Sequence, residues 1–231
     1  MMATVMITGC SRGLGLEAAK QYLADDWKVY ASCREPDSCP ELQALARDYH
    51  QLHLLDLDIA NNDSIDSAVR QLHGQPLDLL IQNAGVYGPG ASRLETVEVE
   101  PWIDTLRINS IAPLMVVQRV LDNLRMGYDP TVVLLTSKMG SMTDNLSGGS
   151  YIYRSSKAAL NSVGKSLAED LRGEGIKVLL MHPGWVKTDM GGPNALIDAA
   201  TSVRSMRQVI AATTLTESGS YLNYDGDPIP W

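Results

Sequence analysis

The sequence predicts an α/β fold: a single doubly wound domain, residues 1–231, with a seven-stranded, mostly parallel sheet and helices on both of its faces. Short apolar runs alternate along the chain with longer amphipathic runs, which is the pattern of repeated strand–helix units. The strand runs are almost continuously apolar, as in Val132, Val133, Leu134 and Leu135, which is typical of strands buried on both faces. The chain has 231 residues and 45% hydrophobic content, enough for one sizeable core.

The elements are predicted in order from these runs. Strands are predicted at residues 3–8, 27–32, 51–57, 77–82, 131–136, 176–181 and 221–224. Helices are predicted at residues 14–25, 41–49, 64–72, 102–124 and 151–171. The last helix is the most regular, because apolar residues recur at helical spacing and glycines punctuate its end. Segments 140–149, which is polar and rich in Gly and Ser, and 191–205 are expected to be mobile.

Charge and composition exclude several classes of partner. The 19 basic and 27 acidic residues give a formal net charge of -8, which argues against a nucleic-acid or anionic membrane surface. No apolar run reaches the ~18–20 residues that span a bilayer. No basic segment followed by an apolar one precedes the first strand, so we expect no signal peptide.

Cysteine and histidine usage predicts neither disulfides nor a metal site. Three cysteines, Cys10, Cys33 and Cys39, are few and odd in number, and free thiols fit a cytoplasmic protein. The histidines form no spaced metal set and are expected to be surface or packing residues: His50, His53, His73 and His182.

A glycine-rich segment joins the first strand to the first helix, as in Rossmann-like nucleotide sites. Glycines there allow a tight turn close to a pyrophosphate, and the helix N-terminus offers free N–H groups. The spacing, Gly-x3-Gly-x-Gly, differs from the usual G-x-G-x-x-G, and a purely structural turn is the alternative. The candidate cofactor-binding residues are Gly9, Ser11, Arg12, Gly13, Leu14 and Gly15.

The end of the second strand indicates which dinucleotide is bound. An NAD site usually carries an acid there to hold the ribose 2′-hydroxyl, but no acid precedes Glu35. Arg34 and Arg12 are placed to flank a 2′-phosphate instead, since a guanidinium forms bidentate charged hydrogen bonds. We therefore expect NADP(H) to be preferred over NAD(H); the alternative is that both arginines are solvated surface residues.

Candidate catalytic groups lie in and just before the helix at 151–171. Tyr153 and Lys157 are four residues apart and so share a helix face, and a neighbouring ammonium is expected to lower the tyrosine pKa. Ser137 directly follows the fifth strand, a rigid position for a catalytic group. Taken alone, the Tyr–Lys spacing also fits an ordinary surface helix.

Two further segments contribute candidates. Pro113 lacks an N–H, so the carbonyl of Asn109, four residues earlier, loses its helical partner and is free to hold a water; a simple proline kink is the alternative. Asn83-Ala84-Gly85 follows the fourth strand, at the carboxyl edge where α/β sheets bind ligands.

With these pieces placed, the chain resembles the short-chain dehydrogenase/reductase family over essentially its whole length. The matching motifs, in order, are Thr8–Gly15, Asn83-Ala84-Gly85, the Ser137/Tyr153/Lys157 set and His182-Pro183-Gly184. Within the family the chain is similar to C-factor (C-signal) proteins and Sniffer-type carbonyl reductases. That similarity is carried by Gly140-Ser141, Asp144-Asn145, Gly148-Gly149, Tyr151-x-Tyr153-Arg154, Tyr221 through Gly226, and Pro230-Trp231.

The resemblance implies roles for these residues. Tyr153 would protonate the substrate oxygen. Lys157 would lower the pKa of Tyr153 and hold the nicotinamide ribose, and Ser137 would orient the substrate carbonyl. Ser141 competes for the serine role, and Asn109 would join a water relay to the lysine.

The resemblance also implies further cofactor contacts. Asp58, followed by Ile59, matches an acid that contacts the adenine; a loop or capping aspartate is the alternative. The segment after the sixth strand would meet the nicotinamide through Pro183, Gly184, Val186 and Thr188. Tyr87, Met139, Asn145, Trp185 and Met190 are placed near the substrate by the fold alone.

We therefore expect an NADP(H)-dependent oxidoreductase that reduces a small aldehyde or ketone by hydride transfer. One alternative is a cofactor-binding signalling or regulatory protein of the C-factor type. Another is an epimerase-like relative, although little chain remains after Gly184 for the larger substrate domain of such enzymes. Family members often pair through their long helices, so a homodimer or homotetramer is expected.

Overall fold

The sheet has seven strands, and every pairing between them that the structure describes is parallel. The computed structural model describes residues 2–72, 74–90 and 92–231. The strand order is β3-β2-β1-β4-β5-β6-β7, so the predicted doubly wound α/β fold is confirmed. The strands are β1 (Thr4–Thr8), β2 (Lys28–Cys33), β3 (Leu52–Asp56), β4 (Leu79–Gln82), β5 (Thr131–Leu135), β6 (Lys177–His182) and β7 (Tyr221–Asn223).

Helices cover both faces of this sheet. Those described are α1 (Gly13–Ala24), α2 (Pro40–Asp48), α3 (Asn62–Arg70), α4 (Val99–Leu106), α5 (Ala112–Arg125), α6 (Tyr151–Arg172) and α7 (Ala199–Ala212). Buried side chains of α1, α2 and α7 share one apolar cluster with the sheet, and those of α3, α5 and α6 share another. These six helices therefore gain stability by burying one apolar face against the strands.

The central strands are buried on both sides, as their apolar runs predict. In β5, Val132 and Leu134 belong to the cluster beneath α3, α5 and α6. Val133 and Leu135 belong to the opposite cluster, beneath α1, α2 and α7. Because successive side chains point to opposite faces, an uninterrupted apolar run is what a central strand requires.

The prediction of one unbroken helix over residues 102–124 is corrected by the structure. The helical segment starts at Val99 and contains a π-helical turn, Arg107–Ile111, between α4 and α5. The N–H of Ala112 bonds to the carbonyl of Arg107, five residues earlier. Pro113 has no N–H to offer, and this interruption of the usual ladder is the physical reason for the wider turn.

Helix α7 was not predicted, since residues 191–205 were expected to be mobile. It begins after Asp198, whose carboxylate accepts a hydrogen bond of 2.7 Å from the Thr201 N–H. Its buried residues Val203, Met206 and Ile210 share one helix face and pack in the cluster with α1. Two glycines and a proline at 191–193 obscure this pattern in the sequence.

The fold creates a crevice where β1 and β4 lie side by side. The chain winds outward from β1 through β2 to β3, and then in the opposite direction from β4 to β7. Ligands bind at the carboxyl ends of strands at such a switch point. None of the helices in the described part of the chain combines the length and apolarity needed to cross a bilayer.

Candidate active site and cofactor cavity

The glycine segment forms a tight turn from β1 into α1. Gly9 has φ +74, and a Cβ there would lie 2.9 Å from the Ala84 Cα. A Cβ on Gly15 would lie 2.3 Å from the Gly9 carbonyl oxygen, so only glycine allows the helix to pack so closely on the turn. Arg12 precedes α1 and makes no side-chain cap to its first turn. The N-terminus of α1 is therefore left to a ligand or to water.

Asn83 holds this turn in place. Its amide nitrogen donates hydrogen bonds to the carbonyl oxygens of Thr8 (2.8 Å) and Gly9 (2.9 Å). The Thr8 hydroxyl oxygen accepts hydrogen bonds from the backbone N–H groups of Asn83 (3.1 Å) and Ala84 (3.0 Å). Asn83 therefore acts chiefly by joining the ends of β1 and β4, and its neighbours present their backbone to the cavity.

A cavity of about 580 Å³ runs along the carboxyl ends of the strands. Most of the predicted cofactor residues line it: Gly9, Ser11, Arg12, Gly13, Leu14, Arg34, Asp58, Ile59, Asn83, Ala84, Gly85, Tyr153, Lys157, Pro183 and Thr188. It also has walls that the sequence reasoning did not name: Cys33, Leu57, Val86, Ile108, Leu135, Thr136, Lys187 and Asp189. Its elongated lining, from the end of β2 to α6, suits an extended ligand.

Three of the predicted cofactor residues lie outside that lining, as do the catalytic candidates Ser137 and Asn109. Gly15 is buried beneath the glycine turn, where it serves packing. Gly184 has φ +84, and a Cβ there would lie 2.7 Å from the Ile197 side chain. Val186 is buried and forms a β-bridge with Ile197. The last two hold the segment after β6 against the start of α7.

Charged groups mark the outer end of the cavity. Arg34 follows β2 and, within the described residues, forms no ion pair with a carboxylate. The Arg12 guanidinium lies 3.2 Å from the Asp189 carboxylate, with both side chains about three-quarters exposed. The Asp58 carboxylate accepts from the Ala60 N–H at 2.9 Å, so it shapes its own loop while lining the cavity. Both interpretations of Asp58 fit this position.

Ser137 and Tyr153 meet at the inner end. The Ser137 side chain lies close enough to the Tyr153 hydroxyl to favour the phenolate, and both residues are buried. The competing serine, Ser141, points elsewhere: its hydroxyl donates to the Trp231 carbonyl at 3.3 Å and accepts from the Asp144 N–H at 3.0 Å. Of the two serines, Ser137 is therefore the one whose side chain acts on the tyrosine.

The electrostatics around Tyr153 differ from the sequence expectation. Burial raises the pKa of Tyr153 to about 12, and the hydrogen bond from Ser137 only partly opposes this. Lys157 was expected to lower that pKa, but its ammonium lies 5.9 Å from the centre of the Tyr153 ring and donates to the Leu135 carbonyl at 2.8 Å. Burial also lowers the pKa of Lys157 to about 8.

Asn109 lies in the π-helical turn and connects the site to its surroundings. Its side-chain amide donates to the Val86 carbonyl (2.8 Å) and to the Ser156 hydroxyl (3.0 Å), and its oxygen accepts from the Val86 N–H (2.9 Å). The side chain therefore fixes the segment after β4 against α6. The carbonyl predicted to hold a water lies at the turn that Pro113 interrupts.

Two aromatic residues complete the surroundings. Tyr87 stacks on Tyr153 with ring centres 4.5 Å apart, and its hydroxyl lies 3.2 Å from that of Ser150. Tyr221, in β7, donates a short hydrogen bond to the Ser137 carbonyl. Met190 lines the cavity, as the fold-level placement expected.

The described residues contain no group of three or more His, Cys, Asp or Glu side chains able to hold a metal ion. His53 stacks on Tyr30, with ring centres 4.9 Å apart. His182 ends β6 and is partly buried, and His73 lies outside the described residues.

Comparison with known proteins identifies the family. The model of the short chain dehydrogenase family matches residues 3–196. The chain is 46% identical to C-signal of Myxococcus xanthus over 156 residues, which is 68% of this chain and 93% of C-signal.

The chain belongs to the short-chain dehydrogenase family.

Solved structures of this family agree over the full length. Carbonyl reductase Sniffer of D. melanogaster is 34% identical with a TM-score of 0.94, and all of both chains is covered. The NADPH-bound carbonyl reductase from chicken fatty liver is 32% identical with a TM-score of 0.93, covering 100% of this chain and 99% of the other.

Some residues that shape this short-chain dehydrogenase site were given no role by the sequence. Tyr221 touches Ser137 across 84 positions of sequence, and Asn161 accepts a 2.6 Å hydrogen bond from Thr136 beside the catalytic candidates. Asn161 belongs to no local motif, and Tyr221 belongs to a C-terminal segment that carried the resemblance without implying a role for it. Lys187 and Asp189, by contrast, are immediate neighbours of a predicted contact, Thr188, and a wider window around it would have included them.

Proposed function

We propose that the protein is an NADP(H)-dependent carbonyl reductase that converts a small aldehyde or ketone into an alcohol. One observation carries the proposal. The buried Tyr153, with Ser137 beside it, lies at one end of a cavity of about 580 Å³. At the other end lies the guanidinium of Arg34, which pairs with no carboxylate among the described residues. A proton donor and a phosphate-binding cation are thus joined by one elongated space, as reduction by a phosphorylated dinucleotide requires.

The residues present fit such a cofactor. The turn at Gly9 and the uncapped start of α1 would receive the pyrophosphate, and Arg34 the 2′-phosphate. Asp58 and Ile59 would lie beside the adenine, and Pro183 and Thr188 beside the nicotinamide. When bound, the nicotinamide supplies or accepts the hydride.

The chain's own residues would orient and protonate the substrate oxygen. Because burial keeps the pKa of Tyr153 near 12, its hydroxyl is protonated at neutral pH and available as the proton donor. An alkoxide is a stronger base than a phenolate, so transfer of the proton remains favourable. Ser137 would hydrogen-bond the carbonyl and fix its direction, and Lys157 would stabilise the phenolate that is left.

The test is oxidation of NADPH and NADH with a panel of small aldehydes and ketones, comparing wild type with Tyr153→Phe. We expect carbonyl-dependent oxidation of NADPH in preference to NADH, and a loss of at least about 100-fold in the variant. Ser141→Ala is the matched control and should keep most of the activity. An active Tyr153→Phe variant, or an inactive Ser141→Ala with an active Ser137→Ala, would overturn the assignment.

A second candidate is favoured by the 46% identity with C-signal: a cofactor-binding protein whose role is signalling. It predicts tight NADPH binding without turnover of any carbonyl in the panel. Calorimetric binding of NADPH to wild type and to Tyr153→Phe separates the two. Equal binding with no turnover in either protein supports signalling, whereas turnover that depends on Tyr153 supports the reductase.

Three further expectations accompany the proposal. The short segment between Thr188 and Arg207 suits a small substrate. Pairing through α4, α5 and α6 would give a homodimer or homotetramer. A cytoplasmic location stays a prediction from the free thiols.

A further inference from the structure

Two cysteines lie side by side at the outer end of the cavity. Cys33 ends β2 and lines the cavity, and Cys39 directly precedes α2. Their sulfur atoms are 3.7 Å apart. Forming a disulfide, with its S–S length of about 2.05 Å, therefore needs a movement of less than ~2 Å shared between the two side chains.

The intervening loop already holds the two residues near each other. The Ser38 and Cys39 N–H groups bond to the carbonyls of Glu35 (3.1 Å) and Pro36 (3.2 Å), and the Cys39 thiol lies 3.3 Å from the Glu35 carbonyl. Gln43, in α2, donates to the Pro36 carbonyl at 3.1 Å. Since this turn is fixed in the folded chain, little further conformational entropy is lost when the sulfurs are joined.

We propose that Cys33 and Cys39 are a redox modification site, at which a peroxide forms an intrachain disulfide beside the 2′-phosphate-binding end of the cavity. Cys39 attacks the peroxide, the O–O bond breaks, and Cys39 sulfenic acid and one molecule of water (or alcohol) are formed. The Cys33 sulfur then attacks the sulfenic sulfur and displaces hydroxide. The hydroxide takes up the thiol proton and leaves as a second water. Two thiols lose two electrons and two protons, and the peroxide is reduced.

The surroundings of the two thiols explain this order. Cys39 is partly exposed, whereas Cys33 is buried and burial raises its pKa to about 11. The thiolate is the reactive form, so the more accessible Cys39 meets the peroxide and Cys33 resolves it at short range. The third cysteine, Cys10, is fully buried, and burial strongly raises its pKa. It should remain reduced and serves as an internal control.

The disulfide would alter the cofactor subsite because Arg34 lies in the bridged segment, adjacent to Cys33. Drawing the sulfurs together would turn the Cys33 side chain, which lines the cavity beside Arg34, and so would change the wall against which the guanidinium lies. This consequence rests on the proposed NADP(H)-dependent function; formation of the cross-link does not. Because the contact between Arg34 and the 2′-phosphate is charge-assisted, we expect its loss to weaken NADPH binding by about tenfold. NADH has no 2′-phosphate, so its binding should change little.

The experiment compares reduced protein, protein treated with hydrogen peroxide, and treated protein re-reduced with dithiothreitol. Non-reducing peptide mass mapping locates the cross-link, and calorimetry gives the Kd for NADPH and NADH. Cys39→Ser is the matched variant, since Cys39 does not line the cavity. We expect a Cys33–Cys39 peptide in wild type only, a reversible loss of NADPH affinity, and an unchanged Kd in peroxide-treated Cys39→Ser.

The outcomes are separable. Absence of the Cys33–Cys39 peptide under peroxide, or oxidation at Cys10 instead, would overturn the modification site. A cross-link that leaves the NADPH Kd unchanged would overturn its effect on the cofactor subsite. If the reduced protein bound neither dinucleotide, the proposed function would fail while the mass mapping still decided the cross-link.

Discussion

Arg34 is the residue on which the choice of cofactor depends. Its guanidinium lines the cavity with no carboxylate partner among the described residues, so a 2′-phosphate would find it unpaired. We predict that Arg34→Ala raises the KM for NADPH by about tenfold or more, with little change for NADH, because hydrogen bonds to charged groups contribute roughly 1.5–3 kcal/mol. Steady-state kinetics with both dinucleotides measures this.

Arg12→Ala is the matched control for that substitution. Arg12 already pairs with Asp189 at an exposed position, so it has less to offer a phosphate. Its effect on the NADPH KM should be smaller than that of Arg34→Ala. Equal effects on NADPH and NADH in Arg34→Ala would instead place the guanidinium against a phosphate common to both cofactors.

Lys157 links the site to the stability of the fold. Burial lowers its pKa from 10.5 to about 8, which corresponds to roughly 3 kcal/mol of unfavourable burial of the charge. Below pH 8 both the folded and unfolded chains carry this proton, and the cost is full. Between pH 8 and 10.5 only the unfolded chain keeps it, so stability rises with pH in that window.

We predict that Lys157→Met lacks this rise. The free energy of unfolding, measured by urea denaturation at several pH values from 7 to 10, should increase more steeply for wild type than for the variant. Other titrating groups, including Tyr153, are common to both proteins and cancel in the comparison. Parallel curves would contradict a depressed lysine pKa.

Among the elements, α6 carries Tyr153 and Lys157 and packs against the sheet at a glycine. A Cβ on Gly164 would lie 2.7 Å from the Leu180 side chain and 2.8 Å from that of Leu134. We predict that Gly164→Ala destabilises the protein by about 1–2 kcal/mol, although alanine favours helix, because overpacking a core typically costs more than the propensity gained. The displaced helix should also lower kcat.

Gly173→Ala tests the same chemical change without the clash. Gly173 follows α6 with φ −66, and a Cβ there would meet nothing within 4 Å. The free energy of unfolding of the Gly173→Ala variant should equal that of wild type or be slightly higher. If both variants lost the same stability in chemical denaturation, close packing at Gly164 would not be the cause.

Helix α6 also shows what the sequence predicts well. Its predicted bounds, 151–171, differ from Tyr151–Arg172 by one residue, because long periodic helices with glycines after them are strong local signals. The sequence showed that Pro113 frees a carbonyl but did not predict the π-helical turn, and it did not predict α7, because the causes of both are not periodic. One depends on a single absent N–H at Pro113, and the other on packing against the distant α1.

In the site, too, local motifs are visible in the sequence but contacts between distant segments are not. The motifs pointed to Asn83 and Lys157, but not to the hydrogen bonds that their side chains make within the chain. Asn83 binds the backbone of the glycine turn, and Lys157 donates to the Leu135 carbonyl. Such roles depend on which strands become neighbours, and the strand order is set by tertiary packing rather than by any local segment.

At the scale of the whole molecule, one face stands out as apolar and exposed. Val99 and Ile103, in α4, and Ile111, in the adjoining π-helical turn, are 60%, 50% and 54% exposed. Helix α4 packs beside α6, so these side chains extend the surface of the two long helical segments. An apolar surface of this kind is typical of an interface between subunits.

We predict that the protein is a homo-oligomer that pairs through this face. Ile103→Glu would place a charge in the apolar contact and should shift the molar mass toward that of the monomer at micromolar concentration, because an unpaired buried charge costs several kcal/mol. Light scattering after gel filtration measures the mass. Leu146→Glu is the control: Leu146 is 95% exposed in the loop before α6 and belongs neither to α4 nor to the π-helical turn, so its variant should keep the wild-type mass. A wild-type protein that is already monomeric would contradict the prediction, and a shift in both variants would mean that loss of apolar surface, rather than this interface, governs assembly.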